Sequence, residues 1–174
     1  MSIDVAPRTL QAGDAVVDFD LTDLNGERFA TAQARQQGLV LIALFKTGCG
    51  TCRYSAPFLQ RLHEQYAANS GGKFQVVGVS QDDAATTREF AAQYGGLTFP
   101  LLLDMNLDVS GKYAITHVPD LYLLDAHDTL QRSILGRFSR DEFNELARIA
   151  AAAVGTPYSP IVRDEDDAPA LKPG

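Results

Sequence analysis

Residues 39–62 read LVLIALFKTGCGTCRYSAPFLQRL and hold both cysteines of the 174-residue chain. The first seven residues are apolar throughout, which is typical of a strand covered on both faces. Aromatic and leucine side chains then recur every four residues, at Tyr54, Phe58, Leu62 and Tyr66. This spacing predicts a helix with one apolar face. The stretch therefore predicts a buried strand followed by a helix, with the cysteine pair at the junction.

The junction gives the two cysteines different surroundings. Cys49 stands where the helix begins, so its sulfur meets unpaired backbone N–H groups and the positive end of the helix dipole, which favour the thiolate. We expect Gly48 and Gly50 to allow a sharp turn there. Cys52 lies one helical turn further on, more buried and close enough to form a disulfide. The pattern favours Cys49 as the attacking thiol and Cys52 as the resolving thiol.

The remaining chain alternates between strand patterns and helical patterns. Strands are predicted over 16–21, 26–30, 74–80, 99–104, 120–125 and 129–135, with the last two forming a hairpin. Helices are predicted over 83–94 and from Ser139, where Ser139 and Glu142 resemble a capping box. Strands that alternate with helices predict an α/β fold with a mixed central β-sheet flanked by helices.

The two ends of the chain differ from this pattern. Residues 1–13 are predicted to form a surface leader before a single domain over 14–154. Residues 155–174 contain four prolines and the acidic run Asp164 to Asp167. We predict a flexible, solvated tail from this composition.

Composition and charge exclude several classes of protein. The chain is 45% hydrophobic and 21% charged, and its 15 basic and 22 acidic residues give a net charge of −7. Without a basic stripe, a nucleic-acid partner is not expected. No run of apolar residues approaches the length of a membrane span. The opening residues lack the pattern of a signal peptide, so we expect a cytoplasmic protein, or an extracytoplasmic one if a signal peptide has been removed.

A CxxC pair can also be half of a metal site. Zinc would need two further ligands, but the chain has no other cysteine and its histidines, His63, His117 and His127, show no paired spacing. His117 is the one candidate ligand worth testing. We therefore predict neither a metal nor another cofactor.

These motifs resemble a known fold. The order of strand, CxxC and helix, with a proline five residues after the second cysteine and Val118-Pro119 before a later strand, resembles the thioredoxin fold. Residues 13–29, GDAVVDFDLTDLNGERF, are similar to the opening of the redoxin group. That group holds AhpC/TSA-like peroxiredoxins and TlpA-like thiol-disulfide oxidoreductases. The resemblance covers about residues 10–154 and implies a thioredoxin-like fold with an N-terminal β extension.

The resemblance also implies roles for single residues. It makes Cys49 the nucleophile, Cys52 the resolving thiol and Pro119 a cis proline, with the Val118 backbone and the Gly48 turn forming the substrate groove. The acids that such proteins use near the cysteines are replaced by Ala43 and Ser55. Proton transfer at Cys52 is therefore left to water or to Lys46.

The predicted function is thiol-disulfide exchange, in which protein or peptide disulfides are reduced with electrons from a thiol-based donor. One alternative is a peroxiredoxin-like peroxidase. Its motif requires a proline and a threonine before the cysteine, and these positions are Ile42 and Lys46. The other alternative is a non-enzymatic module that binds a metal or senses redox state.

Overall fold

The structure is a computed structural model, and it describes residues 7–174. The strands are β1 (Asp20–Thr22), β2 (Arg28–Ala30), β3 (Leu39–Phe45), β4 (Phe74–Ser80), β5 (Leu101–Leu103), β6 (Asp120–Leu124), β7 (Arg132–Leu135), β8 (Arg137–Ser139) and β9 (Leu171–Pro173). The helices are α1 (Thr31–Gln37), α2 (Gly50–Leu62), α3 (Ala84–Gln93), α4 (Asp108–Lys112) and α5 (Arg140–Val154). A π-helical turn, His63–Ala67, extends α2, and a 3₁₀ turn, Asp164–Asp166, lies in the tail.

A mixed sheet of five strands forms the centre, in the order β5-β4-β3-β6-β7. Strands β4 and β5 run parallel to β3, whereas β6 is antiparallel to β3 and β7 is antiparallel to β6. Two small antiparallel pairs, β1-β2 and β8-β9, lie outside this sheet. The thioredoxin-like fold predicted from the sequence is confirmed, and β3 at its centre leads directly into the cysteine pair.

The central strand β3 is buried on both faces, which explains its continuous apolar sequence. Leu41, Ala43 and Phe45 face the core beneath α2, α3 and α5. The alternate residues Val40, Ile42 and Leu44 face a second core, which the N-terminal segment, α1 and α4 cover. The helix that carries the cysteines is therefore fixed by its apolar face against the first of these cores.

Several elements differ from the sequence prediction. The expected strand over 16–21 pairs only at Asp20–Thr22, because the residues before it hydrogen-bond to loops at other points, such as Val16 N–H to the Asp128 carbonyl. Helices α1 and α4 were not predicted. They are five to seven residues long, too short to show a helical period in the sequence.

The prediction of a flexible tail over 155–174 is wrong. Ile161 and Val162 are fully buried in the core beneath α2 and α5, and Ala168 joins them. The acidic run is held by basic partners, since Asp166 pairs with Arg61 and Asp164 with Arg140. Charge and proline content suggested a solvated segment, but two adjacent apolar residues and these ion pairs bind it to the domain.

The N-terminal leader is described only from residue 7, and the rest of the predicted segment lies outside the described residues. Its described part lies along the surface. Leu10 donates its N–H to the Tyr113 carbonyl and accepts a hydrogen bond from the Tyr122 hydroxyl. None of the helices between residues 7 and 174 combines the length and the apolar character that crossing a bilayer requires.

Candidate active site

Cys49 occupies the N-cap position of α2, as the sequence predicts. Its sulfur accepts a hydrogen bond from the backbone N–H of Cys52 at 3.1 Å. On the other side, Cys49 Sγ lies 3.5 Å from the carbonyl oxygen of Val118, to which its S–H can donate. The side chain is half-buried, so a substrate disulfide can reach it while the helix N-terminus stabilises developing negative charge.

Cys52 has the opposite surroundings, with only 3% of its surface exposed. Burial raises the pKa of its thiol, and the hydrogen bond with Cys49 and the negative charge of Asp120 act in the same direction. A backbone N–H of Lys46 opposes them. Both cysteines are free thiols. The buried thiol therefore needs a nearby group to take its proton before it can act as a nucleophile.

The loop opposite the cysteines contains a cis Val118-Pro119 bond, which confirms the sequence prediction of its geometry. Pro119 is buried and leads directly into β6. It lines the same small internal cavity as Cys52. The fold therefore brings Cys49, Cys52, Val118 and Pro119 together, although they are some 70 positions apart in the chain.

Two of the predicted roles around the cysteines change. Gly48 and Gly50 were expected to allow a sharp turn; neither has a positive φ and a Cβ at either position would meet nothing within 4 Å, so the backbone there does not depend on glycine. What these glycines provide is open space beside Cys49. The side chain of Lys46 is exposed and lines a surface groove with His117 and Val118. The Lys46 side chain is thus open to solvent, and its backbone N–H is the part that acts on the Cys52 thiol.

Sequence reasoning missed Asp120, the first residue of β6. The side chain is 1% exposed, and Oδ1 accepts a hydrogen bond from Gly136 N–H at 2.6 Å. Burial raises the pKa of Asp120 to about 6, against the opposing effects of the Gly136 hydrogen bond and His117. Asp120 pairs in register with Leu44 of β3. It therefore lies on β6, next to the strand that carries Ala43 in place of the acid of similar proteins. The available signal was an acid at the start of an otherwise apolar strand.

Ser55 is a second polar group close to the buried thiol. It stands where the resemblance places a glutamate, is 1% exposed, and among the described residues its hydroxyl has no hydrogen-bond partner. Ser55 lines the cavity beneath Cys52 together with Pro119. That cavity measures about 20 Å³, which is enough for one water molecule.

The histidines are not gathered around the cysteines. His117 is exposed, and its Nδ1 lies 3.0 Å from the hydroxyl of Thr116. Across residues 7–174, no three His, Cys, Asp or Glu side chains cluster as the ligands of a metal ion would. The groups within hydrogen-bonding distance of the Cys49 sulfur are the Cys52 N–H and the Val118 carbonyl, and the negative charge of Asp120 acts on the Cys52 thiol.

Comparisons with known proteins agree with this geometry. Residues 12–133 match the sequence profile of the AhpC/TSA family. The thiol-disulfide oxidoreductase ResA of Halalkalibacterium halodurans is 28% identical over 148 residues, covering 82% of this chain and 81% of the relative. Its name describes disulfide exchange.

Solved structures show the same fold. A putative thiol:disulfide interchange protein DsbE from Chlorobium tepidum is 26% identical with a TM-score of 0.70, and the match covers 84% of this chain and all of that one. A secreted disulfide oxidoreductase from Mycobacterium tuberculosis has a TM-score of 0.60 at 22% identity, with 79% of this chain and 94% of that one covered.

Proposed function

The chain belongs to the AhpC/TSA family, and we propose that within it the protein works as a thiol-disulfide oxidoreductase, with Cys49 attacking and Cys52 resolving. The observation that carries this proposal is the contrast between the two sulfurs. The sulfur of Cys49 is half-exposed and accepts a helix N–H at 3.1 Å, while Cys52 is buried one turn further on. Disulfide exchange needs this combination of one accessible thiolate and one sheltered thiol.

The reaction follows as two exchanges. The Cys49 thiolate attacks one sulfur of the substrate disulfide, so that a mixed disulfide forms and the other substrate sulfur leaves as a thiolate. Cys52 then loses its proton and attacks Cys49 Sγ, which releases the second substrate thiol and leaves a Cys49–Cys52 disulfide. Two electrons have passed from the protein to the substrate, and a thiol-based donor restores the dithiol.

The loop before β6 serves as the substrate-binding edge in this proposal. A peptide that lies alongside Val118 can form backbone hydrogen bonds with it, as an added β-strand does. The Val118 carbonyl already lies 3.5 Å from Cys49 Sγ, so a chain paired there would bring its disulfide close to the nucleophile. The open space beside Gly48 leaves room for the substrate.

Asp120 takes the proton of Cys52 in this proposal, replacing the earlier assignment of Lys46 or water. Its carboxyl is buried, its charge acts on the Cys52 thiol, and its pKa of about 6 lets it accept a proton near neutral pH. The water-sized cavity shared by Cys52, Ser55 and Pro119 offers a place for a water molecule beside the buried thiol. The side chain of Lys46 is exposed and is not assigned a role in this step.

Neither alternative function gains support from the site. A peroxidase of this family requires a threonine where Lys46 stands and a proline where Ile42 stands, and Ile42 is fully buried. A metal-binding module would need ligands beyond the two thiols, and residues 7–174 gather no such cluster.

The partners follow from the chemistry. The substrate is a disulfide-containing protein or peptide and the electron donor is a dithiol. The compartment stays a prediction: the cytoplasm was predicted from the sequence, with an extracytoplasmic location as the alternative. The secreted Mycobacterium tuberculosis relative supports that alternative.

Insulin reduction with dithiothreitol as donor tests the proposed function. The protein should reduce insulin faster than dithiothreitol alone, and Cys49→Ser should return the rate to that background. His127→Ala, which changes an exposed histidine between β6 and β7, should leave the rate unchanged. A protein that fails to accelerate insulin reduction but consumes peroxide, or retains metal that is lost on Cys49→Ser, would contradict the proposal.

A further inference from the structure

The end of the described chain returns to the cysteine pair. After α5, residues 155–170 cross the domain and are firmly attached to it. The Tyr66 hydroxyl donates to the Ser159 carbonyl and accepts from the Ser159 N–H, both at 2.7 Å. Asn144 binds the backbone of Ile161 and Val162 through three hydrogen bonds. These contacts fix the course of the chain, and its last residues lie at the N-terminal end of α2.

A second set of contacts attaches the tail to α2. The Arg61 guanidinium donates to both carboxylate oxygens of Asp166, at 2.7 and 3.1 Å, and to the Ile161 carbonyl at 2.5 Å. These hydrogen bonds lower the pKa of Asp166, so the pair stays charged. Because Arg61 is on α2, the tail is tied to the same helix that carries the cysteines.

Residues 171–174, which we call the strap, then pass over the cysteine pair. Strand β9 pairs with β8, so the backbone of the strap is extended. Thr51, which lies between the two cysteines, donates its hydroxyl to the Pro173 carbonyl at 2.5 Å. The Lys172 ammonium stands 5.8 Å from the centre of the Tyr54 ring on α2.

The last residue of the strap touches the predicted substrate edge. Gly174 donates its N–H to the Gly136 carbonyl at 2.8 Å. A Cβ at position 174 would overlap the carbonyl oxygen of Val118 and lie 3.0 Å from its carbon. The backbone of Gly174 is therefore packed directly against the Val118 carbonyl. An extended peptide paired with Val118 at this point and the strap cannot occupy the same space.

Cys49 itself stays accessible beside the strap. Its side chain is half-buried, and the space next to Gly48 and Gly50 is open. The strap is also less firmly held than the residues before it, because Leu171, Pro173 and Gly174 are exposed whereas Ile161 and Val162 are buried. Segments with few buried contacts open locally at a lower free energy than the core.

We propose that the strap determines which disulfides the protein reduces, by occupying the position of a substrate strand beside Val118. Small disulfides reach Cys49 with the strap in place. A peptide or protein disulfide that must pair with Val118 reacts only after the strap has moved aside. This proposal rests on the proposed function, since it concerns access to the same attacking thiol.

Single-turnover exchange measures this selectivity without an added donor. The reduced protein is mixed with insulin, or with bis(2-hydroxyethyl) disulfide as the small probe, and unreacted thiols are alkylated at timed intervals and counted by intact mass. A chain that ends after Ala170 lacks the strap. The shortened chain should react with insulin about tenfold faster than the full chain does. With the small disulfide, the rates of the two chains should differ by less than about twofold.

Two variants of Thr51 give an independent test that keeps the strap. Thr51→Val removes the hydroxyl that holds the Pro173 carbonyl, whereas Thr51→Ser retains a hydroxyl at the same position. We expect Thr51→Val to raise the ratio of the insulin rate to the small-disulfide rate by about threefold, and Thr51→Ser to leave the ratio unchanged. Should the shortened chain fail to fold, this pair decides the outcome.

The possible results separate the two proposals. If the full chain, the shortened chain and the variants all fail to react with either disulfide, the proposed function is wrong. If all react, but removal of the strap changes the two rates equally or not at all, and Thr51→Val has the same ratio as Thr51→Ser, the proposed function stands and the strap has no role in selectivity.

Discussion

At the scale of single residues, the central feature is the presence of two buried titratable groups, Cys52 and Asp120. Both side chains are almost completely buried, at 3% and 1% exposed, and both have raised pKa values because burial disfavours their charged forms. A buried carboxylate and a buried thiolate are each costly in a folded protein. Such perturbed groups often mark a functional site.

The effect of Asp120→Asn on stability should depend on pH, because only the wild-type protein carries the carboxyl. The folded-state pKa of about 6, against an ordinary value of 3.8, means that the fold is disfavoured as the carboxyl ionises. The fold has the full stability associated with the protonated carboxyl below about pH 4. It loses roughly 3 kcal/mol of that stability as pH rises through about 6. Urea unfolding at about pH 8 should find reduced Asp120→Asn more stable than the wild-type protein by that amount.

The matched control is Asp108→Asn, which changes an exposed carboxyl and should alter stability by less than about 0.5 kcal/mol. Near pH 4 the Asp120→Asn protein and the wild-type protein should be equally stable, because an asparagine oxygen can still accept the Gly136 N–H. A stability difference of the same size at both pH values would show that the effect does not come from ionisation.

Asp120→Asn should also slow the second exchange but not the first. An asparagine cannot take the Cys52 proton, so the mixed disulfide with Cys49 should persist about a hundredfold longer. Rapid quenching followed by intact mass measurement separates its formation from its decay. In the wild-type protein the decay should accelerate as pH rises through about 6, and the variant should lack that rise. An unchanged decay rate and pH profile would remove Asp120 from the mechanism.

The cysteines, the proline and the acid differ in how visible they are in the sequence. Cys49 and Cys52 are marked by their spacing and by the helical pattern that follows them, and Val118-Pro119 by its place before a strand. Asp120 was missed because its importance depends on β6 pairing antiparallel with β3, which places it opposite Leu44. Such a long-range pairing has no local signal in the sequence.

At the scale of elements, the tail shows how composition can mislead. Residues 155–174 have the prolines and acids of a disordered segment. Yet Ile161 and Val162 are fully buried, and Asn144 on α5 satisfies their backbone groups. A few apolar residues with satisfied backbone groups are enough to dock a polar segment, because each buried side chain adds about 1.5 to 3 kcal/mol.

Asn144→Ala should therefore destabilise the protein. The substitution removes the side-chain oxygen that accepts both the Ile161 and the Val162 N–H groups, and the amide N–H that donates to the Val162 carbonyl. Leaving buried backbone groups unpaired should lower the free energy of unfolding by about 2 to 3 kcal/mol. Urea unfolding measures the change.

The control for Asn144→Ala is Glu145→Ala, one position further along the same helix. The Glu145 side chain is 45% exposed, and its two ion pairs with Arg132 and Arg148 are both long, at 3.8 Å. We expect its removal to cost less than about 0.5 kcal/mol. Equal losses for Asn144→Ala and Glu145→Ala would mean that the tail adds little to the stability of the domain.

At the scale of the whole molecule, the sequence predicts the sheet and the larger helices well. The apolar runs of β3, β4 and β6 and the periods of α2, α3 and α5 are strong local signals, and they suffice for the thioredoxin-like fold and the thiol-disulfide oxidoreductase function. The short elements α1, α4, β8 and β9 carry no such signal. They are held by contacts with distant parts of the chain, so they become visible only in the folded structure.

The central claim is that Cys49 attacks and Cys52 resolves, and the most direct test compares Cys52→Ser with Cys49→Ser after each is mixed with insulin. Intact mass measurement under non-reducing conditions detects a mixed disulfide. We predict that Cys52→Ser accumulates this adduct, because the accessible Cys49 thiolate still attacks and no second thiol resolves the product, whereas Cys49→Ser forms none. Equal amounts of adduct on the two variants, or more on Cys49→Ser, would contradict the assignment.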